Sequence, residues 1–246
     1  MLNKITSYLF NNKLKSLKDK HKNQRCFILG NGPSLTKLDL KKLEGEITIA
    51  SNGIFFLFDT NAFRPTYYTA EDNLVAEDRA REINHLTGFT KIFPEDLKYT
   101  LNKNENTIFI KFIRGCKDSG YPNFSKDLSD CAHTGGTVSY LNLQLAWYLG
   151  CKEVYLIGVD HNYLIPENLD KNGIVWTSQE EDPNHFHPNY FGKGYRWHDP
   201  RTDRMERSYI KAKMVFEEDN RKIYNSTLGG KLEVFERINY DNLFKS

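Results

Sequence analysis

The chain has 246 residues, of which 39% are hydrophobic and 13% aromatic, so it can bury the core of one large α/β domain or two small ones. A formal net charge of +2 gives no global reason to expect nucleic acid as a partner. The four cysteines are scattered without a C-x-x-C pair, which is typical of reduced thiols in a cytosolic protein. No apolar run approaches a membrane span, and residues 5–10 are too short and polar for a signal peptide, so we expect a cytoplasmic protein.

The first residues differ from the rest of the chain in charge. Residues 1–25 carry seven basic side chains against one acidic one, Asp19, and leucine and isoleucine recur there at roughly helical spacing. The basic amphipathic helix predicted over 1–22 is of a kind that mostly packs on protein, either on its own domain or on another subunit of a homo-oligomer. Such a helix could also lie on an anionic membrane surface, which would make the protein peripheral to the inner face of the membrane.

The most informative stretch follows, where an apolar run of strand type, Cys26–Leu29, enters Gly30-Asn31-Gly32-Pro33-Ser34 and then a segment predicted as helical. A tight glycine turn between a strand and a helix lets backbone N–H groups approach an anion, and the helix N-terminus adds partial positive charge. We therefore predict a nucleotide phosphate at this turn. The alternative is a plain strand-to-loop turn that uses Gly and Asn for unusual backbone angles.

Two familiar nucleotide sites are excluded by the residues present. The turn lacks the third glycine of G-x-G-x-x-G, and Asn52 stands where a ribose-binding carboxylate would be expected, which argues against a nicotinamide cofactor. The chain also contains no Walker-type G-K-[ST] sequence.

Apolar strands alternate with helices along most of the chain, which predicts an α/β fold with a doubly wound, mostly parallel Rossmann-like sheet. Residues 23–246 are expected to form one nucleotide-binding catalytic domain. The predicted strands are Cys26–Leu29, Ile47–Ser51, Thr66–Thr69, Lys91–Phe93, Thr107–Phe112, Val154–Ile157 and Lys222–Tyr224. The predicted helices are 3–20, 35–43, 73–86, 136–149 and 203–219.

Residues 161–200 have a different composition, rich in Asn, Pro, His, Gly and aromatic residues. A loop of this length inside a compact domain is usually functional, as a lid over a site is. Disorder is the alternative, but disordered segments lack aromatic residues. We therefore predict a long aromatic and histidine-rich lid.

Ligands of an open parallel sheet bind beyond the carboxyl ends of its strands, where several polar residues fall in this sequence. Because those ends share one edge of the sheet, we expect a single nucleotide crevice there. The residues predicted to bind the nucleotide are Gly30, Asn31, Gly32, Ser34, Asn52, Thr134, Gly135, Gly136, Thr137 and Asp160. The residues predicted to bind substrate are Glu71, Asp72 and Asn73 after the third strand, with Tyr190 and Arg196 from the lid.

Five of the seven histidines lie between residues 133 and 198. A histidine beside a nucleotide crevice suits a general base that deprotonates a hydroxyl nucleophile. The pair His185 and His187, together with His198, could instead hold a metal ion. Loop histidines that only bond to the backbone are the third alternative.

Several motifs, taken in order, resemble one superfamily. They are Phe27–Ser34, Ser51–Gly53, Gly135–Thr137 and Leu149–Asp160. One branch of that superfamily contains bacterial sialyltransferases that use CMP-sialic acid and act on lipooligosaccharide. The other branch is typed by archaeal 6-hydroxymethylpterin diphosphokinase and includes motility-associated flagellin glycosyltransferases, and residues 185–192 and 223–235 look most like this branch.

The resemblance to the sialyltransferases implies that Asn31 and Asn52 contact the nucleotide and that Tyr163 binds its phosphate. Their turn at a helix start corresponds loosely to residues 134–137. These implied contacts fall on segments that the strand pattern already brings to one edge of the sheet.

The catalytic base of those enzymes is a histidine in a His-Tyr-Ile-Gly stretch, which corresponds here to residues 189–192. The family's histidine position is Asn189 in this chain. His187 lies two residues earlier and is therefore the first expectation for the base, followed by His185, with Asp160 as a further catalytic candidate.

These observations predict a glycosyltransferase that uses a nucleotide-activated sugar, with a CMP-linked acidic sugar as donor, in surface polysaccharide or glycolipid synthesis. Its acceptor would be a glycan or glycolipid, and no cofactor or metal would be required. One alternative is an ATP-dependent pyrophosphokinase of the hydroxymethylpterin type, which would use Mg²⁺ held by carboxylates. The other is a non-catalytic nucleotide-binding partner of a polysaccharide assembly.

Overall fold

The computed structural model describes residues 13–115, 120–165, 167 and 169–245. Most of the predicted N-terminal helix lies outside the described residues, as does Cys116. Residues 16–23 form turns rather than a continuing helix, and Leu14 and Leu17 are buried in the core of the domain. Within the described ranges, no helix has the length and apolarity that crossing a membrane requires.

The central sheet is built from short buried strands joined by helical or irregular segments. The strands are β1 Arg25–Leu29, β2 Ile47–Ser51, β3 Tyr67–Thr69, β4 Thr90–Pro94, β5 Thr107–Ile110, β6 Phe112–Ile113, β7 Ala132–His133, β8 Glu153–Ile157, β9 Leu169–Asn172, β10 Val175–Ser178, β11 Arg196–His198, β12 Lys222–Asn225 and β13 Glu236–Arg237. The α-helices are α1 Asn73–Asp78, α2 Ala80–His85, α3 Val138–Tyr148 and α4 Thr202–Glu218. Tighter 3₁₀ turns occur at Pro33–Lys37, Leu40–Leu43, Asn52–Leu57, Glu95–Leu97 and Tyr240–Phe244.

Eight strands form one parallel sheet in the order β13-β12-β8-β1-β2-β3-β4-β5, which confirms the predicted fold class. The chain runs outward from β1 to β5 and then returns to the other side of β1 with β8. The order therefore reverses between β1 and β8, and such a switch point opens a crevice at the carboxyl edge of a sheet.

Strand β1 shows why the sheet is buried on both faces. Its residues Cys26, Phe27, Ile28 and Leu29 have no exposed surface. Alternate side chains of a strand point to opposite faces, so Cys26 and Ile28 join one core cluster and Phe27 and Leu29 join the other. A continuous apolar run of this kind is typical of a central parallel strand covered on both sides.

The predicted strands are all present, but three details of the prediction were wrong. The run Thr107–Phe112 divides after Ile110, and β6 leaves the main sheet to pair with β7. The helix predicted over 35–43 is two 3₁₀ turns, because Leu38 is extended and Asp39 caps a new turn. The helix predicted over 73–86 is broken at Arg79 into α1 and α2.

The predicted lid is ordered by a second, smaller sheet in which β9, β10 and β11 pair antiparallel. Arg196 of β11 forms ion pairs with Glu77 and Asp78 on α1. Arg79, which lies between α1 and α2, donates to backbone carbonyls of the lid and lies 3.6 Å from the centre of the Tyr195 ring. These contacts fasten the lid to the main domain through charged side chains.

The loop that leads into α3 is held by one buried amide, that of Gln144. Its Oε1 accepts hydrogen bonds from the N–H groups of Ser125 and His133, at 3.1 and 3.0 Å. Its Nε2 donates to the carbonyls of His133 and Tyr140, at 2.8 and 3.2 Å. Gln144 therefore fixes the path of the chain just before residues 134–137.

We expect Gln144→Leu to destabilise the protein by roughly 3–5 kcal/mol, because several buried backbone groups lose their partners at once and each costs about 1–3 kcal/mol. Gln179→Leu, at an exposed glutamine, should cost much less. Chemical denaturation followed by circular dichroism gives both values. Equal losses in the two variants would contradict the role assigned to the amide.

Candidate functional site

A cavity of about 560 Å³ opens at the carboxyl edge of the sheet, where the strand order reverses. Its volume is typical of a small-molecule binding site. The cavity brings together most of the residues predicted from the sequence. Those that line it are Gly30, Asn31, Gly32, Asn52, Glu71, Asp72, Asn73, Thr134, Gly136, Thr137, Asp160, Tyr163, His185 and Tyr190.

The glycine turn after β1 packs against the end of β8. Gly30 and Gly32 donate their N–H groups to the carbonyls of Ile157 and Gly158, at 2.8 and 2.9 Å. A Cβ on Gly30 would overlap the carbonyl of Gly158, so glycine is required here by the close approach of two backbones.

The anion in this turn is a carboxylate of the chain itself. Asp160 Oδ2 accepts from the Ser34 hydroxyl at 2.7 Å, and Oδ1 accepts from the Ser34 N–H at 3.3 Å. Two premises of the predicted phosphate turn were therefore wrong, because the glycine N–H groups bond within the chain and no α-helix begins at Pro33. Ser34 is buried beside the cavity and does not line it. Asp160, which was predicted to be catalytic, does line the cavity, but its carboxylate is bonded to Ser34.

Side chains beyond β1 and β2 carry hydrogen-bonding atoms without protein partners. Asn31 donates through Nδ2 to the carbonyl of Ser51 at 3.2 Å, which leaves its Oδ1 as an acceptor. That Oδ1, the Ser51 hydroxyl and Asn52 Oδ1 are buried and make no hydrogen bond to the described part of the chain. Buried polar atoms are nearly always paired, so a ligand is the natural partner for these three.

Backbone strain coincides with this edge of the cavity. Asn52 and His161 adopt positive φ angles of 50° and 49°, a region that non-glycine residues seldom occupy. Both line the cavity. Strain of this kind persists only where the surrounding structure holds it, and it concentrates at functional sites.

The opposite wall is formed by the start of α3, the first turn of α4 and the lid. Thr137 caps α3 by accepting from the Ser139 N–H at 3.3 Å, and Gly136 has a φ of 80°. A Cβ on Gly136 would lie 3.2 Å from Cδ of Arg204, so the side chain of Arg204, on α4, packs directly against the start of α3. Gly135 lies behind this wall, where its carbonyl accepts from the Ser208 hydroxyl at 2.6 Å.

Within the described part of the chain, the buried atoms without partners that belong to cavity-lining residues divide between the two walls by type. On the side of the sheet lie the acceptors Asn31 Oδ1, Asn52 Oδ1 and Glu71 Oε2, with the Ser51 hydroxyl. On the side of the lid and α4 lie the donors Trp197 Nε1 and Arg204 Nε. Arg114 and Arg201 also line the cavity. The cavity can therefore take a ligand that presents hydrogen-bond donors to the sheet and negative charge to the lid.

His185 pairs with the buried Asp182 at the cavity. Its Nδ1 lies 2.7 Å from Asp182 Oδ2, and its ring stacks on Tyr190 with centroids 3.9 Å apart. Because a carboxylate only accepts hydrogen bonds, it holds the proton on Nδ1 and leaves the Nε2 lone pair of the neutral ring available. Burial raises the pKa of Asp182, but the hydrogen bond from His185 and further bonds outweigh it and lower that pKa.

The first choice for the base, His187, lies elsewhere. Its ring stacks flat on Phe56 with centroids 4.2 Å apart, and its Nδ1 accepts from the Asn189 N–H at 3.2 Å. It does not line the cavity, whereas the second choice, His185, does. Arg196 is likewise outside the lining, because its guanidinium is used to fasten the lid.

A second histidine–aspartate pair, which the sequence reasoning did not identify, joins the lid to the main domain. His198 Nδ1 lies 2.7 Å from Asp72 Oδ2, while Asp72 Oδ1 caps α1 by accepting from the N–H groups of Leu74 and Val75. The hydrogen bond to Asp72 raises the pKa of His198 despite the opposing effect of burial. His198 lines the cavity. Its partner lies 126 positions earlier in the chain, so no local spacing could have indicated the pair.

Glu71 is the most perturbed acid of the cavity. Its side chain is buried, and burial together with the neighbouring Asp72 raises its pKa to about 7, against the opposing effect of Arg114 and Arg204. A carboxyl group of this kind can exchange a proton near neutral pH, which is typical of functional sites. Among the described residues, no group of three or more His, Cys, Asp or Glu side chains is placed to hold a metal ion.

We expect Glu71→Gln to stabilise the protein relative to the wild type as pH rises. The folded wild type keeps its proton up to about pH 7, whereas the unfolded chain loses it near the ordinary value of 4.5, so wild-type stability falls across that interval. The difference should grow by up to about 3 kcal/mol between pH 4.5 and 8. Urea denaturation at several pH values measures it, with the exposed Glu44→Gln as a control, and a pH-independent difference would contradict the raised pKa.

Comparison with known proteins adds a family and a structural neighbour. The structure of MAf glycosyltransferase from Magnetospirillum magneticum AMB-1 matches with a TM-score of 0.53 and 15% sequence identity. The match covers 90% of this chain and 35% of that one, so this chain spans about a third of the length of its neighbour. At that identity the likeness establishes a shared fold. No curated protein matches the sequence.

A family model described as 6-hydroxymethylpterin diphosphokinase MptE-like matches residues 1–165. That range contains β1 to β8 and the polar residues at their carboxyl ends, and it ends just before β9. Because the match covers well over half of the sequence and agrees with the resemblance of its motifs, the chain belongs to the 6-hydroxymethylpterin diphosphokinase MptE-like family.

Proposed function

We propose that this protein is a glycosyltransferase that transfers a sugar from a nucleotide-activated donor to a hydroxyl group of a glycan or glycolipid. The observation that carries the proposal is the His185–Asp182 pair at a cavity of nucleotide size. A histidine whose tautomer is fixed by a buried carboxylate is suited to deprotonating a hydroxyl nucleophile. The fold shared with MAf glycosyltransferase supports this class of reaction.

The two walls of the cavity suggest how the donor would lie. The nucleoside would face the sheet, where its amino and hydroxyl groups can donate to Asn31 Oδ1 and Asn52 Oδ1. The phosphate and an acidic sugar would face the start of α3 and Arg204, where the helix N-terminus and the guanidinium favour negative charge. This arrangement supports a CMP-linked acidic sugar as donor, and Tyr163 lines the same cavity.

In the proposed reaction, His185 Nε2 takes the proton of the acceptor hydroxyl as its oxygen bonds to the anomeric carbon. The bond between that carbon and the donor phosphate breaks, and the nucleoside monophosphate leaves against the cationic wall. The buried Tyr190 and Trp197 limit the access of water, which strengthens the charge contacts inside. No cofactor takes part in these steps. A cytoplasmic location at the membrane, where glycolipid acceptors are made, fits this chemistry.

A pyrophosphokinase is the second candidate, because the family model is named for a 6-hydroxymethylpterin diphosphokinase. Such an enzyme would also deprotonate a hydroxyl group, here on a hydroxymethyl substituent, and would move diphosphate from ATP. When bound, Mg²⁺ would neutralise the transferred phosphates. Its ligands would come from the acidic side chains that line the cavity, which are Glu71, Asp72, Asp160 and Asp199.

The donor is identified by a thermal-shift screen with CMP, UDP, GDP and ATP, each with Mg²⁺ and with EDTA. A ligand at 100 times its Kd stabilises by about 2.7 kcal/mol, which is readily measured. We expect stabilisation by CMP that persists in EDTA. Stabilisation by ATP only with Mg²⁺, together with AMP formation from ATP and a hydroxymethylpterin, would replace the glycosyltransferase by the pyrophosphokinase. Binding of a nucleotide without turnover of any donor would indicate a non-catalytic partner.

We expect His185→Gln to lower turnover by roughly 10²–10⁴-fold, the usual contribution of a general base, while nucleotide affinity changes little. Asp182→Asn should lower turnover in the same direction, because the amide no longer fixes the required tautomer. His187→Gln separates the two histidines, since its ring lies outside the cavity and turnover should persist. Loss of turnover in His187→Gln but not in His185→Gln would return the role to His187.

A further inference from the structure

We infer that His198, oriented by Asp72, contacts the phosphate of the bound nucleotide and gives it a proton as the sugar departs. This inference rests on the proposed function and assigns a second histidine to the same site. Its role is the opposite of the one assigned to His185, which receives a proton.

The position of His198 is the first argument. It is the last residue of β11 and lies four positions before the start of α4, so it belongs to the wall that carries the donor groups. Trp197, Arg201 and Arg204 line the cavity from the same stretch. The neighbouring Trp197 is 6% exposed, and its Nε1 is buried without a partner in the described part of the chain. A group with accepting oxygens, such as phosphate, satisfies donors of this kind.

The orientation of the ring is the second argument. Asp72 is fixed because its other oxygen caps α1, and it accepts the Nδ1 proton of His198 at 2.7 Å. The remaining ring nitrogen, Nε2, is then the one that can meet a ligand. When the ring is charged, Nε2 carries a proton that it can donate to a phosphate oxygen in a strong, charge-assisted hydrogen bond.

The charges around His198 come from several elements and favour the protonated ring. Asp72, at the N-terminus of α1, acts to raise the pKa of His198, whereas Arg114 after β6 and Arg196 on β11 act to lower it. Both arginines are paired, Arg114 with Asp96 and Arg196 with Glu77 and Asp78. The other ionisable residues of this part of the cavity are Glu71, Asp199, Arg201 and Arg204.

The two histidine–aspartate pairs give a balanced reaction. The acceptor oxygen loses its proton to His185 Nε2 and forms the new bond to the anomeric carbon. The old bond from that carbon to the phosphate oxygen breaks, and the electron pair stays with the phosphate, which receives the proton of His198 Nε2. His185 ends protonated and His198 neutral, and exchange with solvent restores both.

A purely structural role is the competing explanation, because the contact between His198 and Asp72 also fastens the lid. Arg196 fastens the lid through Glu77 and Asp78 without lining the cavity, so Arg196→Gln is a matched control. Fastening by His198 also depends on the charge of its ring, because the contact with Asp72 is strongest when the ring is protonated. Fastening of the lid affects the affinity for cytidine and for CMP alike, whereas a proton donor to phosphate affects only the affinity for CMP.

The experiment is isothermal titration calorimetry of CMP and of cytidine, which lacks the phosphate, between pH 5.5 and 8.5 with the full chain and with the variants His198→Gln and Arg196→Gln. Between these pH limits, we expect the affinity of the wild type for CMP to fall about tenfold more than that of His198→Gln. A tenfold difference corresponds to the loss of one charge-assisted hydrogen bond. The titration of the phosphate itself is common to all variants and cancels. Parallel pH profiles for CMP in the wild type and His198→Gln would overturn the inference, and so would a profile in Arg196→Gln that matches His198→Gln. The same change of profile for cytidine as for CMP in His198→Gln would also overturn it, because it would show that the lid and not the phosphate is affected.

Asp72→Asn provides a second variant, because asparagine also caps helices but carries no charge to hold the proton on His198. The pH at which CMP affinity falls should move lower in this variant, and the alkaline limb of the turnover profile should move with it. If neither the affinity profile nor the turnover profile shifts in Asp72→Asn, then Asp72 does not control the charge of His198, and the inference is contradicted. Wild-type protein that binds neither CMP nor any other nucleotide contradicts the proposed function itself, whereas binding with parallel profiles contradicts only the role of His198.

Discussion

The close approach of two parallel strand ends, β1 and β8, is the constraint on which the site depends. Gly30 and Gly158 bring the backbones together, and the contact between Asp160 and Ser34 ties the two following loops. A side chain on Gly32 would overlap the Asp160 carboxylate, so the close contact between the two loops requires glycine at this position. The cavity opens beside this junction because the strand order reverses there, and its polar lining follows from the places where the neighbouring strands end.

Charged contacts hold the lid in addition to apolar ones, in which Phe186 and Phe191 pack against a core cluster and the His187 ring stacks on Phe56. Arg196 and Arg79 connect it to α1 and to the residue between α1 and α2, and His198 adds the contact to Asp72. Each of these contacts joins a group of the lid to one of the main domain. Contacts of this kind are screened by salt and change with pH, so the position of the lid is more sensitive to solution conditions than the sheet beneath it.

Much of the fold was predictable because buried parallel strands are continuous apolar runs, and the run from Cys26 to Leu29 is of that type. The same reasoning placed Asn31, Asn52 and Glu71 at one edge, since parallel strands end together. The 3₁₀ turns after β1 were missed because buried leucines at short spacing are compatible with either kind of helix. Asp72 and His198 could not be paired from the sequence, because their contact depends on how the lid folds back. The pair of Asp182 and His185 could have been suggested from the sequence, because the two residues are only three positions apart. The same spacing is also common in loop turns, so it is weak evidence.

The boundary of the family match, at residue 165, divides the residues that line the cavity into two groups. Asn31, Asn52 and Glu71 fall within residues 1–165, whereas His185, His198 and Arg204 fall beyond that range. The family match therefore covers the wall that carries the acceptors, whereas the donors Trp197 Nε1 and Arg204 Nε lie beyond it. A ligand held between the two walls meets groups from both parts of the chain, so neither part builds the whole cavity by itself.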